Sequence, residues 1–229
     1  MQNSILAENK QETKMDTKKL VVLSLMTALA YMSVFIVRIP VVLFLKYEPK
    51  DVIITVAGFM FGPLASLVIS AVVSLVEMVT ISSTGPIGAL MNFISTSAFA
   101  CSAALIYKKV HTIKGAVIGL ASGTLLMTVL MLAWNYLITP LYMGTPREAV
   151  AGMLLPVFLP FNLIKAVLNS AITMLLYKPL SMIMKKAHVL PEAPAAGESG
   201  GHMKKYAFVY VIAGFLVATC VAVIIIWNL

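Results

Sequence analysis

Seven apolar stretches, separated by short polar runs, order the chain. They run roughly from Leu20 to Val37, Asp51 to Phe61, Leu64 to Ile81, Ile87 to Tyr107, Gly115 to Ile138, Ala151 to Met184 and Tyr206 to Trp227. A helix rises about 1.5 Å per residue, so about 20 apolar residues cross the roughly 30 Å hydrocarbon core of a bilayer. Several stretches reach that length with few or no charges, and the pattern predicts an all-α membrane protein. Two stretches depart from a simple span. Asp51 to Phe61 is short and ends at Gly62-Pro63, and the sixth stretch carries Pro156, Pro160 and Pro179. Proline lacks an N–H and disfavours helix in the residue before it, so the sixth stretch is expected to begin as a loop, with a continuous span from Phe161 to Leu180.

The polar runs divide the chain into four parts. Residues 1–19 lack the apolar core and small-residue cleavage site of a secretory signal and read as a cytosolic tail. Residues 20–186 hold six helices. Residues 187–204 include Pro191-Glu192-Ala193-Pro194-Ala195-Ala196-Gly197 and read as a flexible cytosolic linker. Residues 205–229 form a seventh, accessory transmembrane helix without internal charge, expected to lie outside any binding site.

Composition supports the membrane reading: of 229 residues, 60% are hydrophobic and 11% charged, against about 25% charged in ordinary soluble domains. The net charge of +8 builds no basic, aromatic-interleaved face, so no nucleic-acid partner is expected. Instead the lysines report topology. Twelve of the seventeen Lys and Arg residues fall on one side of the bilayer if the N-terminus lies there, and Arg38, Lys46, Lys50 and Arg147 fall on the other. The positive-inside rule makes the first side cytosolic.

The remaining cation, Lys165, lies inside the sixth helix, and Glu77 inside the third. An ionisable group at bilayer depth costs about 2.5 to 3.5 kcal/mol or more, so each needs a partner or a function. Asn162, Lys165 and Asn169 stand at i, i+3 and i+7 and share one helix face. Asn135, behind Trp134 on the fifth helix, approaches that face if the two helices pack together. Amides, an ammonium and an indole within apolar walls suit a planar heterocycle with several carbonyls and ring nitrogens. The competing structural reading pairs Lys165 with Glu77 and uses the asparagines to tie helices together. Between the first two helices, Val41 to Asp51 is apolar and then charged, as a lid over a pocket mouth would be. Asp51 there is placed either as a cap on the second helix or as a ligand contact.

Other chemistry is not supported. Cys101 and Cys220 have no second Cys or His at ligand spacing, so no metal site is expected. His111, His188 and His202 fall in loops, and no Gly-x-x-x-x-Gly-Lys-Ser/Thr run binds a nucleotide. An intramembrane enzyme would have only Ser74 beside Glu77 to offer. An ion-coupled secondary transporter, with Glu77 and Lys165 relaying protons, is the stronger alternative.

Four blocks then narrow the choice: Lys46-Tyr47-Glu48-Pro49-Lys50-Asp51, the run from Thr84-Gly85-Pro86 to Asn92-Phe93, Trp134-Asn135-Tyr136-Leu137-Ile138-Thr139-Pro140, and Pro160-Phe161-Asn162-Leu163-Ile164-Lys165. In this order they resemble the riboflavin-binding S components of energy-coupling factor transporters, over about Leu20 to Lys186. The resemblance implies a six-helix vitamin-capturing subunit in a bacterial cell membrane, not an enzyme and without a cofactor. Riboflavin would be its transported ligand, and a membrane coupling subunit with two cytosolic ATPases its partners. By position, Asn135, Asn162 and Lys165 are the implied polar contacts, Leu45 and Tyr47 the closing loop, and Glu77 and Asn92 further contacts. The family's docking helix carries small residues four apart, where this chain has Ser24 and Ala28, with Ala30 nearby. The seventh helix departs from the six-helix pattern.

Overall fold

The computed structural model describes residues 17–43, 45–82, 84–186 and 202–228. Its helices are α1 (Thr17–Ile36), α2 (Lys50–Phe61), α3 (Pro63–Thr80), α4 (Gly85–Lys109), α5 (Ile113–Leu137), α6 (Thr139–Met143), α7 (Arg147–Met153), α8 (Leu159–Lys186) and α9 (His202–Asn228). Among the described residues, six helical segments are long and apolar enough to cross a membrane: α1, α3, α4, α5, α7 running into α8, and α9. The segment expected second, α2, has only 12 residues, about 18 Å at helical rise, too short to span. It is instead the centre of the bundle. Nine of its residues are buried, and it packs against α1, α3, α4 and α8.

Local chemistry accounts for the boundaries. Gly62, at φ +96°, takes a left-handed conformation that side chains disfavour, and so turns the chain sharply between α2 and α3. Pro63 then fits the first turn of α3, where no N–H is needed. The Thr112 side chain caps α5 by accepting from the Gly115 N–H at 3.1 Å. Along the α4–α5 contact, a Cβ on Gly119 would lie 2.6 Å from the Ala103 carbonyl oxygen, and one on Gly123 2.5 Å from that of Phe99. Only glycine permits this backbone approach, the usual way for helices in lipid to gain packing.

Three expectations change. The loop expected before Pro160 is helical, with α7 passing through a π-helical stretch, Leu154–Phe158, into α8. The wider turn accommodates Pro156, which has no N–H to give. Second, the stretch between α1 and α2 contains a two-stranded antiparallel ribbon, β1 (Ile39–Val42) with β2 (Leu45–Tyr47). Third, α9 starts at His202 rather than in the 205 region. The linker's residues 187–201, like tail residues 1–16, lie outside the described residues. Outward faces carry exposed apolar side chains such as Leu25, Leu64, Leu125 and Phe215, as a lipid-facing surface requires.

Candidate binding site

Because the short α2 returns the chain without spanning, α1 and α3 run in the same direction, with Arg38 Nη1 donating to the Ile81 carbonyl at 3.0 Å. The end of α1, the start of α4, the end of α5 and the start of α8 then meet at one end of the bundle, opposite Thr17. A cavity lies there. Its wall takes Arg38 from just after α1, Leu45, Lys46 and Glu48 from the ribbon and the residue after it, and Thr84, Ile87, Met91, Asn92 and Ser95 from α4 and its entry. Met131, Trp134 and Asn135 come from α5, Tyr142 from α6, and Phe161, Asn162 and Lys165 from α8. The volume is about 80 Å³, below the roughly 300–1,000 Å³ of clefts that hold small-molecule ligands. A multi-ring ligand therefore enters only as part of the wall moves. Apart from Arg38, Glu48 and Thr84, which flank other elements, the ribbon is the part of that wall not carried on a helix. A larger groove of about 470 Å³ between α5, α8 and α9 has almost wholly apolar walls and offers little to orient a polar ligand.

Besides Lys46 in the wall, six charged side chains sit in and under the cavity, three of each sign. Arg38 Nε meets Glu48 Oε1 at 3.0 Å, and Lys50 Nζ meets Glu48 Oε2 at 2.9 Å. Lys50 also donates to both oxygens of Glu77, at 2.7 and 2.5 Å, and Asn92 donates to Glu77 at 3.0 Å. Lys165 Nζ lies 3.2 Å from Asp51 Oδ2. Asp51 accepts further bonds from Thr96 Oγ1 at 2.6 Å and Asn169 Nδ2 at 3.1 Å. Buried charges survive only when paired and hydrogen-bonded, and here each has a counter-ion. Burial disfavours the ionised Glu48, yet Lys50, Lys165 and Arg38 around it hold its carboxyl below the ordinary 4.5. Burial, reinforced by the Asp51 charge, pushes the Tyr47 phenol far above its usual range. Tyr47 thus stays a donor, bonded to Asn169 Oδ1 at 2.9 Å.

The two expected amides are anchored by their own helices. Asn135 Nδ2 donates to the Met131 carbonyl at 2.7 Å and its Oδ1 accepts from Thr139 at 2.9 Å. Asn162 Nδ2 donates to the Phe158 carbonyl at 2.7 Å, next to the π-helical stretch. Each amide nitrogen keeps a second N–H, since an amide carries two. The buried indole Nε1 of Trp134 has no hydrogen-bond partner among the described residues. An unsatisfied buried donor costs about 1 to 3 kcal/mol, and this one belongs to a residue of the cavity wall.

Of the residues singled out from the sequence, Asn135, Asn162, Lys165, Leu45, Trp134 and Asn92 line the cavity. Tyr47 and Glu77 do not. Tyr47 points to Asn169 and Glu77 serves Lys50 and Asn92. The expected Lys165–Glu77 pair is not formed: Asp51 takes Lys165, and Lys50 takes Glu77. Nor does Asp51 cap α2. Pro49 occupies that position without a side-chain cap, and the buried Asp51 carboxylate faces the ammonium instead. Ser24 and Ala28 lie exposed on α1, while Ala30 is buried. Sequence reasoning passed over Arg38 and Lys50. Lys50 looked like one of several external loop charges, and its only signal was its place beside Asp51 at the head of an apolar helix.

Comparison with known proteins adds an independent finding. The family described as ECF transporter, substrate-specific component, matches residues 18–177. The riboflavin transporter FmnP of Bacillus subtilis (strain 168) is 30% identical over 190 residues, covering 76% of this chain and 100% of that protein. The riboflavin transporter RibU of Staphylococcus aureus (strain TCH60) is 29% identical over 178 residues, covering 74% of this chain and 93% of that protein. Among solved structures, the S component of a bacterial ECF transporter superposes with a TM-score of 0.63 at 30% identity, covering 74% of this chain and 98% of the other.

Proposed function

The chain belongs to the family of substrate-specific components of energy-coupling factor transporters, a multi-pass membrane protein of transport rather than an enzyme, and on that premise we propose that it captures riboflavin from the external side in the cavity under the ribbon. Two similar proteins are named riboflavin transporters. A flavin ring system has an apolar benzenoid end and a pyrimidine edge with two carbonyls, an N–H and a ring nitrogen. Ile87, Met91, Met131 and Phe161 supply apolar wall, and Trp134, Asn135, Asn162 and Lys165 supply donors on the opposing α5 and α8. The observation that carries the reading is the Trp134 N–H, without a partner among the described residues, lining the same cavity as the Lys165 ammonium. Together they offer two buried donors to one ligand edge.

Capture alone moves nothing against a gradient, and the sequence has no P-loop to hydrolyse ATP. The chain therefore works with a membrane coupling subunit and two cytosolic ATPases, and delivers the vitamin with them. Exposed Ser24 and Ala28 on α1 are the small residues at which a coupling helix packs closely. The N-terminus is cytosolic, which puts the cavity at the external face.

The test is an absorbance spectrum of the full chain purified in detergent from cells supplied with riboflavin. Flavin bands that copurify, and disappear in Lys165→Ala, support the reading. Colourless protein that remains colourless after incubation with riboflavin refutes it.

A further inference from the structure

The seventh helix is unexplained by the family, since the family match ends at residue 177, before α9 begins at His202. Its packing is nevertheless specific. α9 lies against α8 and reaches β1 of the ribbon. Its buried residues Ala213, Cys220 and Ile224 stand at i, i+7 and i+11, one face of the helix. Cys220 and Ile224 belong to one apolar cluster with Val41, Leu45 and Tyr47 of the ribbon and Phe161 of α8. Leu45 and Phe161 are also cavity wall. The ribbon is thus in contact with the cavity and with α9 at once, and Tyr47 is further tied through Asn169 and Asp51 to Lys165.

We propose that Cys220 and Ile224 of α9 are positioning residues for the ribbon, which hold it closed over the cavity and thereby lengthen the time that a bound ligand stays. This rests on the riboflavin reading above. The cavity is too small for a multi-ring ligand unless its wall moves, and the ribbon is the part of the wall free of a spanning helix. Lifting it must break up the apolar cluster that Val41, Leu45 and Tyr47 share with Cys220 and Ile224 and expose apolar surface that closure hides. α9 also carries neighbours that serve as controls, because Val221 and Ile225 are 41% and 55% exposed and point away from the cluster.

The experiment measures release of riboflavin from the loaded full-length protein by stopped-flow dilution, read as recovery of flavin fluorescence, together with thermal stability. Cys220→Ala with Ile224→Ala is expected to speed release by about three- to ten-fold, as loss of buried apolar contact implies. Val221→Ala with Ile225→Ala is expected to release at the wild-type rate. Ile224→Leu, which conserves volume, is expected to restore slow release. Wild-type release rates from the inward double variant, at equal loading, overturn the proposal. So does faster release from the outward pair to the same extent, which would mark a general loss of stability. If the wild-type protein takes up no riboflavin, the functional reading fails first, and that outcome is distinguishable because no release is seen in any variant.

Discussion

Lys165 on α8 and Asp51 on α2 form an ion pair at 3.2 Å, with side chains 8% and 1% exposed, and this pair joins the cavity wall to the centre of the bundle. Lys165 lines the cavity while Asp51 lies beneath it, held by Thr96 and Asn169. Removing the cation alone leaves a buried carboxylate uncompensated, which costs about 3 to 5 kcal/mol. Lys165→Ala is therefore expected to lower thermal stability, and Lys165→Met with Asp51→Asn to recover most of it. Riboflavin affinity is expected to fall about ten- to a hundred-fold in both, because a charged donor contributes roughly 1.5 to 3 kcal/mol. Melting in detergent and equilibrium titration separate the two effects.

Trp134→Phe keeps the ring and removes the N–H. Since that N–H has no partner among the described residues, the free protein is expected to be at least as stable as the wild type. Riboflavin affinity is expected to drop about five- to ten-fold, the worth of one neutral hydrogen bond. Titration calorimetry of both proteins gives the comparison.

Lys50 and Glu77 are counter-ions below the site. Glu77→Gln is expected to destabilise the protein, but by less than Lys165→Ala does because Lys50 keeps Glu48 at 2.9 Å, and to change affinity much less than Lys165→Ala does at equal folded fraction. A larger affinity loss than that of Lys165→Ala would place Glu77 on the ligand.

Glu48 gives the pH dependence. Its carboxyl is held below the ordinary 4.5 when the ribbon is closed. A lowered value means that its contribution is complete above the ordinary value and is lost as pH falls through the lowered one. Glu48's contribution to riboflavin retention is expected to be complete from neutral pH down to 4.5 and to fall only in more acid solution. Glu48→Gln is expected to show faster release at neutral pH and to lose that acid step. Release rates measured across the range check both.

Much of this architecture was legible from hydropathy, because in a bilayer each span must be apolar for its full length. The face shared by Asn162, Lys165 and Asn169 was legible too, since helical spacing places residues on a side. The partner of Lys165 was not. Spacing within α8 does not say which helix opposes it, and α2, a short central helix, resembles a failed span rather than the element that carries Asp51. The β1–β2 ribbon was hidden for a different reason. Leu43 stands at φ 53° in its turn, where a glycine or asparagine would have announced the hairpin. The place of α9 beside the ribbon was hidden as well, because a uniformly apolar helix carries no mark of the face it buries.

The measurement closest to the central claim is a titration of the purified full-length protein with riboflavin, read by quenching of flavin fluorescence. Saturable quenching at one flavin per chain, weakened at least ten-fold in Lys165→Ala, is the expected result. Folded wild-type protein that leaves the fluorescence unchanged at saturating protein would contradict it.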